Sequence, residues 1–404
     1  MIDYDDIQAV YLFLLITYTL LFTMTQNRAS SKKDLEHLIQ TIEKKYVPDK
    51  RVELFFIEAI ESKKGMHLKG ETTSKLAYKE LIAEAKKIFP LIEDEVRILP
   101  DEVIGTNQWG VIYNSVANLR SKTSHSSELA SQLLLGMPVK ILDKSEDWFR
   151  IQAPEGYIGW ISGSVQLFKH KELKAYLAKP KVIVTSQYAN SYSKADTHSQ
   201  SISDIVIGNI LTLDDEEDDF YKVTYPNDRV AFIEKQNAQE FNKWLSEIKF
   251  TRQSIVNKAK QLMGVPYLWG GSSSKGLDCS GFTKIVCWLH GIIIPRDASQ
   301  QALCGVEIDN MGDFDNVQKG DLVFFGEKTS KENPKEKVVH VGIYIGNKQF
   351  IHANDYIHIS SFNPKDKLFD EFNTNRYLRT MRYIGSEGTK GITPIVEHPF
   401  YSKD

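Results

Sequence analysis

Residues 111–235 repeat themselves at an offset of 72 positions with no gap. The shift lays Ala117-Asn118 on Ala189-Asn190, Ser121-Lys122 on Ser193-Lys194, and Gly136 on Gly208. LLLGMPVKIL falls on IVIGNILTLD, and DWFRIQAPEGYIGWI on DFYKVTYPNDRVAFI, with Pro154 on Pro226. Each copy is a series of short alternating strands broken by turn residues at close spacing, a pattern that predicts two small all-β barrels over residues 111–170 and 178–236. The acidic run Asp214 to Asp219 lacks the ligand spacing and turn glycine of a calcium loop, so it reads as a solvated loop of the second barrel.

A chain of 404 residues, 42% hydrophobic and 25% charged, holds enough apolar material for several cores. Fifty basic against 53 acidic residues, with no long basic run, argue against a nucleic-acid partner. Three cysteines, none in a CxxC pair, exclude a disulfide framework and a zinc ribbon. No cofactor or metal is called for. In residues 1–30, the apolar run Ile7–Met24 has the length of a bilayer crossing. It reads as an export signal or membrane anchor, although Asp3, Asp5 and Asp6 stand where a signal peptide carries cations. A start at Met24 would remove the run and leave the protein cytoplasmic.

Residues 31–99 read as a small α/β module. Leu35, Leu38, Ile39 and Ile42 mark a helix face, Val52–Ile60 and Met66–Thr72 two strands, Ser74–Phe89 a second helix, and Val96–Leu99 a third strand. The stretch LKGETTSKLAYKELIAEAKKIF is similar to BON-type modules, and nothing in it looks catalytic.

Residues 250–385 carry the chemistry. A helix over Ser254–Met263, a glycine-rich loop, a helix from Cys279 to about Leu289 and strands over Asp321–Phe325, Val338–Ile345, Gln349–His352 and Tyr377–Ile384 give an α+β arrangement. Asp278 stands at the N-cap and Cys279 is the first helical residue, where the helix dipole favours an anion. A thiol there can ionise far below its free value of ~8.5. Gly264, Gly270, Gly271 and Gly276 would let a substrate approach the backbone closely. Cys287 and Cys304 read as inert buried thiols. His340 and His352 have the same parity about a turn near Gly346, so a hairpin sets them on one face, roughly opposite each other. A thiol, an imidazole and a third polar group form the logic of acyl transfer through a covalent intermediate.

Five ordered blocks, GVPYLWGGSSSKGLDCSGFTKIV, PRDASQQ, KGDLVFFG, VVHVGIYIGN and FIHA, resemble the NlpC/p60 family of papain-like cysteine peptidases. The resemblance implies Cys279 as nucleophile, His340 as general base and acid, and His352 as the residue orienting His340. It also implies Tyr267 and the Cys279 N–H at the oxyanion, with Asp278, Ser280 and Ser299 around the substrate. The two repeats, through NLR…GYIGWI, resemble the bacterial SH3 (SH3b) domain, more closely in the first copy. Two SH3b modules before such a peptidase is the layout of γ-D-glutamyl-L-diamino-acid endopeptidases of the dipeptidyl-peptidase VI type, which act on peptidoglycan stem peptides. That branch implies a first module that closes the cleft and binds the free L-Ala amine, through Glu128 and Tyr157 here. The second copy has Gln200 and Arg229 at those places. Arg296, beside Asp297, reads as half of a local ion pair. The rival readings are SH3b modules serving as wall anchors for an endopeptidase on intact wall, a related thiol amidase or acyltransferase, and a non-catalytic wall-binding protein.

Overall fold

The computed structural model describes residues 17–18, 32–62, 65–330 and 334–401. All of Ile7–Met24 except Thr17 and Tyr18 lies outside the described residues, and among those described no helix is long and apolar enough to cross a membrane. The chain divides into two compact units, Met1–Glu102 and Val103–Asp404.

In the first unit a helix over 32–46 buries Leu35, Ile39 and Ile42, the i, i+4, i+7 stripe read from the sequence. The helix Lys75–Ile88 starts where Ser74 Oγ accepts from the Ala77 N–H, and buries Ala77, Leu81 and Ala85 in the same core. Strands Phe55–Ser62, Gly65–Thr72 and Glu93–Ile98 form one sheet, the first pair antiparallel and the third strand parallel to the second. The first strand begins at Phe55 rather than Val52, because Val52 and Glu53 turn back to donate to the Asp49 carbonyl.

The second unit contains two seven-stranded sheets with one strand order. In the first, the order is Leu129–Leu134, Val116–Arg120, Ile158–Ser162, Trp148–Gln152, Pro138–Ser145, Trp109–Ile112, Val165–Phe168. In the second it is Ser201–Val206, Tyr188–Tyr192, Val230–Glu234, Phe220–Thr224, Ile210–Glu217, Lys181–Val184, Ala238–Glu240. The first six strands of each start 72 residues apart, so the sequence offset reappears in the hydrogen-bonded order. Asp214–Asp219 is exposed around the turn between two of these strands.

A six-stranded antiparallel sheet follows, in the order Val306–Asp309, Tyr377–Arg382, Leu322–Glu327, Lys337–Gly346, Gln349–Ala353, Ile357–Ser361. Every residue of the helix Cys279–Trp288 is buried. Phe282, Ile285, Val286 and Leu289 share one apolar core with Phe324, Val341, Ile343 and Ile351 of this sheet. That core runs on without a break into Leu119, Leu133, Val139 and Ile161 of the first seven-stranded sheet. Val323, Phe325, Tyr344 and Phe350 form a separate cluster with Phe362 and Tyr377.

Polar contacts fix both seven-stranded sheets to the helix and to the loop before it. Gln132 Oε1 accepts from the Ser272 N–H at 3.0 Å and from Ser273 Oγ at 2.9 Å. Trp288 Nε1 donates to the Gly208 carbonyl at 3.2 Å, and Tyr188 donates to the Ser274 carbonyl. Lys284 meets Glu155 at 2.5 Å with both side chains buried. Removing one partner of such a pair strands a charge in the core, a loss of about 3–5 kcal/mol. Glu155→Gln should therefore lower the urea midpoint sharply, while Glu155→Leu combined with Lys284→Met should recover most of it. All six tryptophans lie between residues 109 and 288, so tryptophan fluorescence follows this unit alone.

Candidate active site

Cys279 opens its helix behind an N-cap made by Asp278, whose Oδ1 accepts from the Gly281 N–H at 2.7 Å. The same carboxylate also accepts from the Gly270 N–H at 2.9 Å, from Ser280 Oγ at 3.3 Å, and from Arg296 Nη1 and Nη2 at 3.1 and 2.5 Å. Both oxygens of Asp278 are thus occupied by the protein itself. Arg296 is 1% exposed and reaches onward to Ser280 Oγ at 2.8 Å and Ser131 Oγ of the first seven-stranded sheet at 3.1 Å. The local pair expected with Asp297 is present at 3.9 Å, but the closer, bidentate partner is Asp278.

Gly270 in the loop is required by packing within the protein. Gly270 has φ +79°, and a Cβ there would lie 2.1 Å from the Leu129 carbonyl oxygen, so the loop backbone packs directly on the first module. Tyr267 is half-buried close to Cys279 and Asp278; burial above all raises its pKa, so the phenol keeps its proton and remains a donor.

His340 and His352 do share a face, but not as direct opposites. The register pairs His352 with Gly342, two residues on from His340, because the hairpin turns at Asn347-Lys348 rather than about Gly346. Gly342 contributes no side chain at the crossing, and His340 Nε2 meets His352 Nδ1 at 2.8 Å. His352 is fully buried and its Nε2 lies 3.0 Å from Ser360 Oγ. Asp370 stands 3.9 Å from the same nitrogen. Cys279 Sγ lies in reach of the backbone N–H of Val341, the residue after His340.

Burial decides the charge states here. It pushes the Cys279 thiol up to about 12, with the Asp278 carboxylate adding to the rise and the Val341 N–H, Arg296 and the Ser280 N–H opposing it. Burial, and after it the N-cap carboxylate, thus works against the acidic thiol expected at a helix N-terminus. His340 is held well below its ordinary value by burial and then by His352, Arg376 and His358. His352 is lowered to about 3 by burial, with His358 contributing. Burial thus favours the uncharged form of both the Cys279 thiol and the His340 imidazole. Cys287 is likewise pushed up to about 12 by burial, and Cys304, also buried, donates to the Gln300 carbonyl.

The first module reaches the rim of the site. Glu128, exposed, accepts from Trp269 Nε1 at 2.9 Å, and Trp269 lies in the loop before Cys279. Tyr157 is half-buried within electrostatic reach of Arg296. Ser280 is buried between Asp278 and Arg296, and Ser299 is half-buried in the short helix Ala298–Gln301. In the second copy Arg229 instead donates to the Tyr113 carbonyl of the first. Sequence reasoning missed Trp269, the reach of Arg296, and the strand that bears Ser360. The alternation Ile357, His358, Ile359, Ser360 was the available signal for that strand.

Residues 264–379 match the NlpC/P60 family, and residues 115–165 the bacterial SH3 domain. A gamma-D-glutamyl-L-lysine dipeptidyl-peptidase of Bacillus cereus is 31% identical over 266 residues, 63% of this chain and 77% of that protein. A dipeptidyl-peptidase 6 of Lysinibacillus sphaericus is 26% identical over 268 residues, 64% of this chain and 93% of that one. The crystal structure of an NlpC/P60 family protein from Bacillus cereus has a TM-score of 0.58 and 27% identity, covering 68% of this chain and 99% of that one. With a helix-terminal cysteine and two bonded imidazoles in the matched region, and similarity that extends across the SH3 module, the chain belongs to the NlpC/P60 family of cysteine peptidases.

Proposed function

We propose that the chain hydrolyses the bond between γ-D-Glu and the diamino acid of peptidoglycan stem peptides whose L-Ala amine is free, releasing L-Ala-γ-D-Glu. The observation that carries this reading is Glu128, a carboxylate supplied by the first module at 2.9 Å from the indole N–H of the loop leading into Cys279. An ammonium needs a carboxylate and a wall, and Glu128 with Tyr157 would provide them. The names of the Bacillus and Lysinibacillus relatives support the same bond. Such a substrate puts the enzyme at the cell envelope, and we assign export to the Ile7–Met24 run.

In the proposed reaction Cys279 passes its proton to His340 as sulfur attacks the γ-carbonyl. The oxyanion is met by the Cys279 N–H and the Tyr267 phenol. His340, oriented by His352, then protonates the departing amine, and water assisted by the same imidazole cleaves the thioester. Ser280 and Ser299 border the γ-D-Glu unit. Asp278 acts through Arg296 and the helix N-cap, since its oxygens are already engaged.

Cys279→Ser should abolish turnover of L-Ala-γ-D-Glu-diamino acid tripeptide, read by mass spectrometry of the dipeptide, without loss of tripeptide binding. His340→Ala should do the same, and His352→Ala should retain partial activity. Turnover of Cys279→Ser within tenfold of wild type would remove the nucleophile assignment.

The depressed His340 keeps the base neutral as pH falls, so the acid limb of kcat/KM should lie below the ordinary imidazole value of 6.5. The same depression costs stability at low pH. Unfolded histidines take protons below about 6.5 that the folded pair refuses, so unfolding free energy should fall by about 1.4 kcal/mol per pH unit for each histidine. For His352 that loss runs down to about pH 3. An acid limb at or above 6.5 would contradict the neutral pair.

N-acetylation of the tripeptide removes the ammonium and should cost at least about 30-fold in kcat/KM, from ~2 kcal/mol or more for a broken recognition pair. Glu128→Ala should lose a similar factor on the free tripeptide and little more on the acetylated one. Gln200→Ala should change neither. Equal cleavage of both substrates by the wild type would make the SH3 modules wall anchors instead.

A further inference from the structure

We propose that Ser360 is a positioning residue: by accepting a hydrogen bond from His352 it selects the tautomers of both buried imidazoles and leaves His340 a bare nitrogen for the thiol proton. The inference rests on the reading of His340 as the base. The strand Ile357–Ser361 pairs with Gln349–Ala353 so that His358 stands opposite His352 and Ser360 opposite Phe350. Ser360 is therefore the diagonal neighbour of His352 on the same face. Its Oγ lies 3.0 Å from His352 Nε2, and both side chains are buried.

The tautomers follow from the order of the nitrogens. His340 uses Nε2 to meet His352 Nδ1, which leaves Nδ1 for the thiol proton. A neutral imidazole with bare Nδ1 carries its hydrogen on Nε2, and that hydrogen is donated to His352 Nδ1. His352 Nδ1 must then be bare, so His352 carries its own hydrogen on Nε2 and donates it to Ser360. The reverse assignment, with hydrogen on His352 Nδ1, forces hydrogen onto His340 Nδ1 and leaves no base. Asp370, 3.9 Å from His352 Nε2, favours hydrogen at that nitrogen. Arg376 and His358 are the other titratable groups acting on the pair, and both oppose its protonation. With His352 fully buried, removal of the Ser360 hydroxyl leaves an N–H without its acceptor.

The test combines long-range 1H–15N spectra of full-length protein labelled at histidine with kinetics on the tripeptide. Wild type near neutral pH should show His340 and His352 both protonated at Nε2 and bare at Nδ1. Ser360→Ala should mix the tautomers and lower kcat about tenfold while KM stays within twofold, and Ser360→Thr should restore both spectrum and kcat. Hydrogen on Nδ1 of His352 in the wild type would overturn the proposal, and needs no variant to fold. So would Ser360→Ala with unmixed tautomers and wild-type kcat. Wild-type turnover by His340→Ala would instead remove the catalytic reading, and the spectra would still report whether Ser360 sets the tautomers.

Discussion

The buried pair between Asp278 and Arg296 is the contact on which the site depends. The carboxylate ends the helix that presents Cys279, holds the Gly270 N–H, and neutralises a guanidinium that is 1% exposed. That guanidinium in turn ties Ser280 to Ser131 of the first module. Desolvating two such charges costs several kcal/mol per ion, which bidentate geometry and the extra hydrogen bonds offset. A pair of this kind adds little net stability but tolerates few alternative arrangements, and a nucleophile needs that restriction.

The pair also shapes the electrostatics around the thiol. A carboxylate directly behind Cys279 opposes thiolate, and the depth of the site opposes imidazolium. Both effects favour the uncharged forms of the two groups, which leaves charge separation to the transition state rather than to a resting ion pair.

Much of this was legible in the chain. The 72-residue offset led to an expectation of two small barrels, and it reappears as two seven-stranded sheets of one strand order; the periodicity around Phe282, Ile285 and Val286 foretold the buried helix. The shared parity of His340 and His352 foretold their meeting, though not the two-residue stagger, because an alternation count gives the face of each residue and not the position of the turn. The stronger partner of Arg296 went unread because a sequence displays neighbours in the chain, and Asp297 is adjacent whereas Asp278 is distant. The strand over Ile357–Ser361 went unread because only Ile357 and Ile359 are apolar in it, a thin alternation against His358, Ser360 and Ser361. With it went Ser360, whose role exists only through pairing with a neighbouring strand.

The contacts of Gln132 and Ser131 bear on how such proteins recombine in evolution. The family match ends at residues 264 and 379, yet Ser272 N–H and Arg296 Nε find their acceptors outside it. A gene fragment that carried only the matched stretch to a new host protein would keep the Arg296–Asp278 pair but leave the Arg296 Nε and Ser272 N–H donors without these acceptors. The heritable block here is larger than the peptidase fold: module and enzyme must travel, and drift, together.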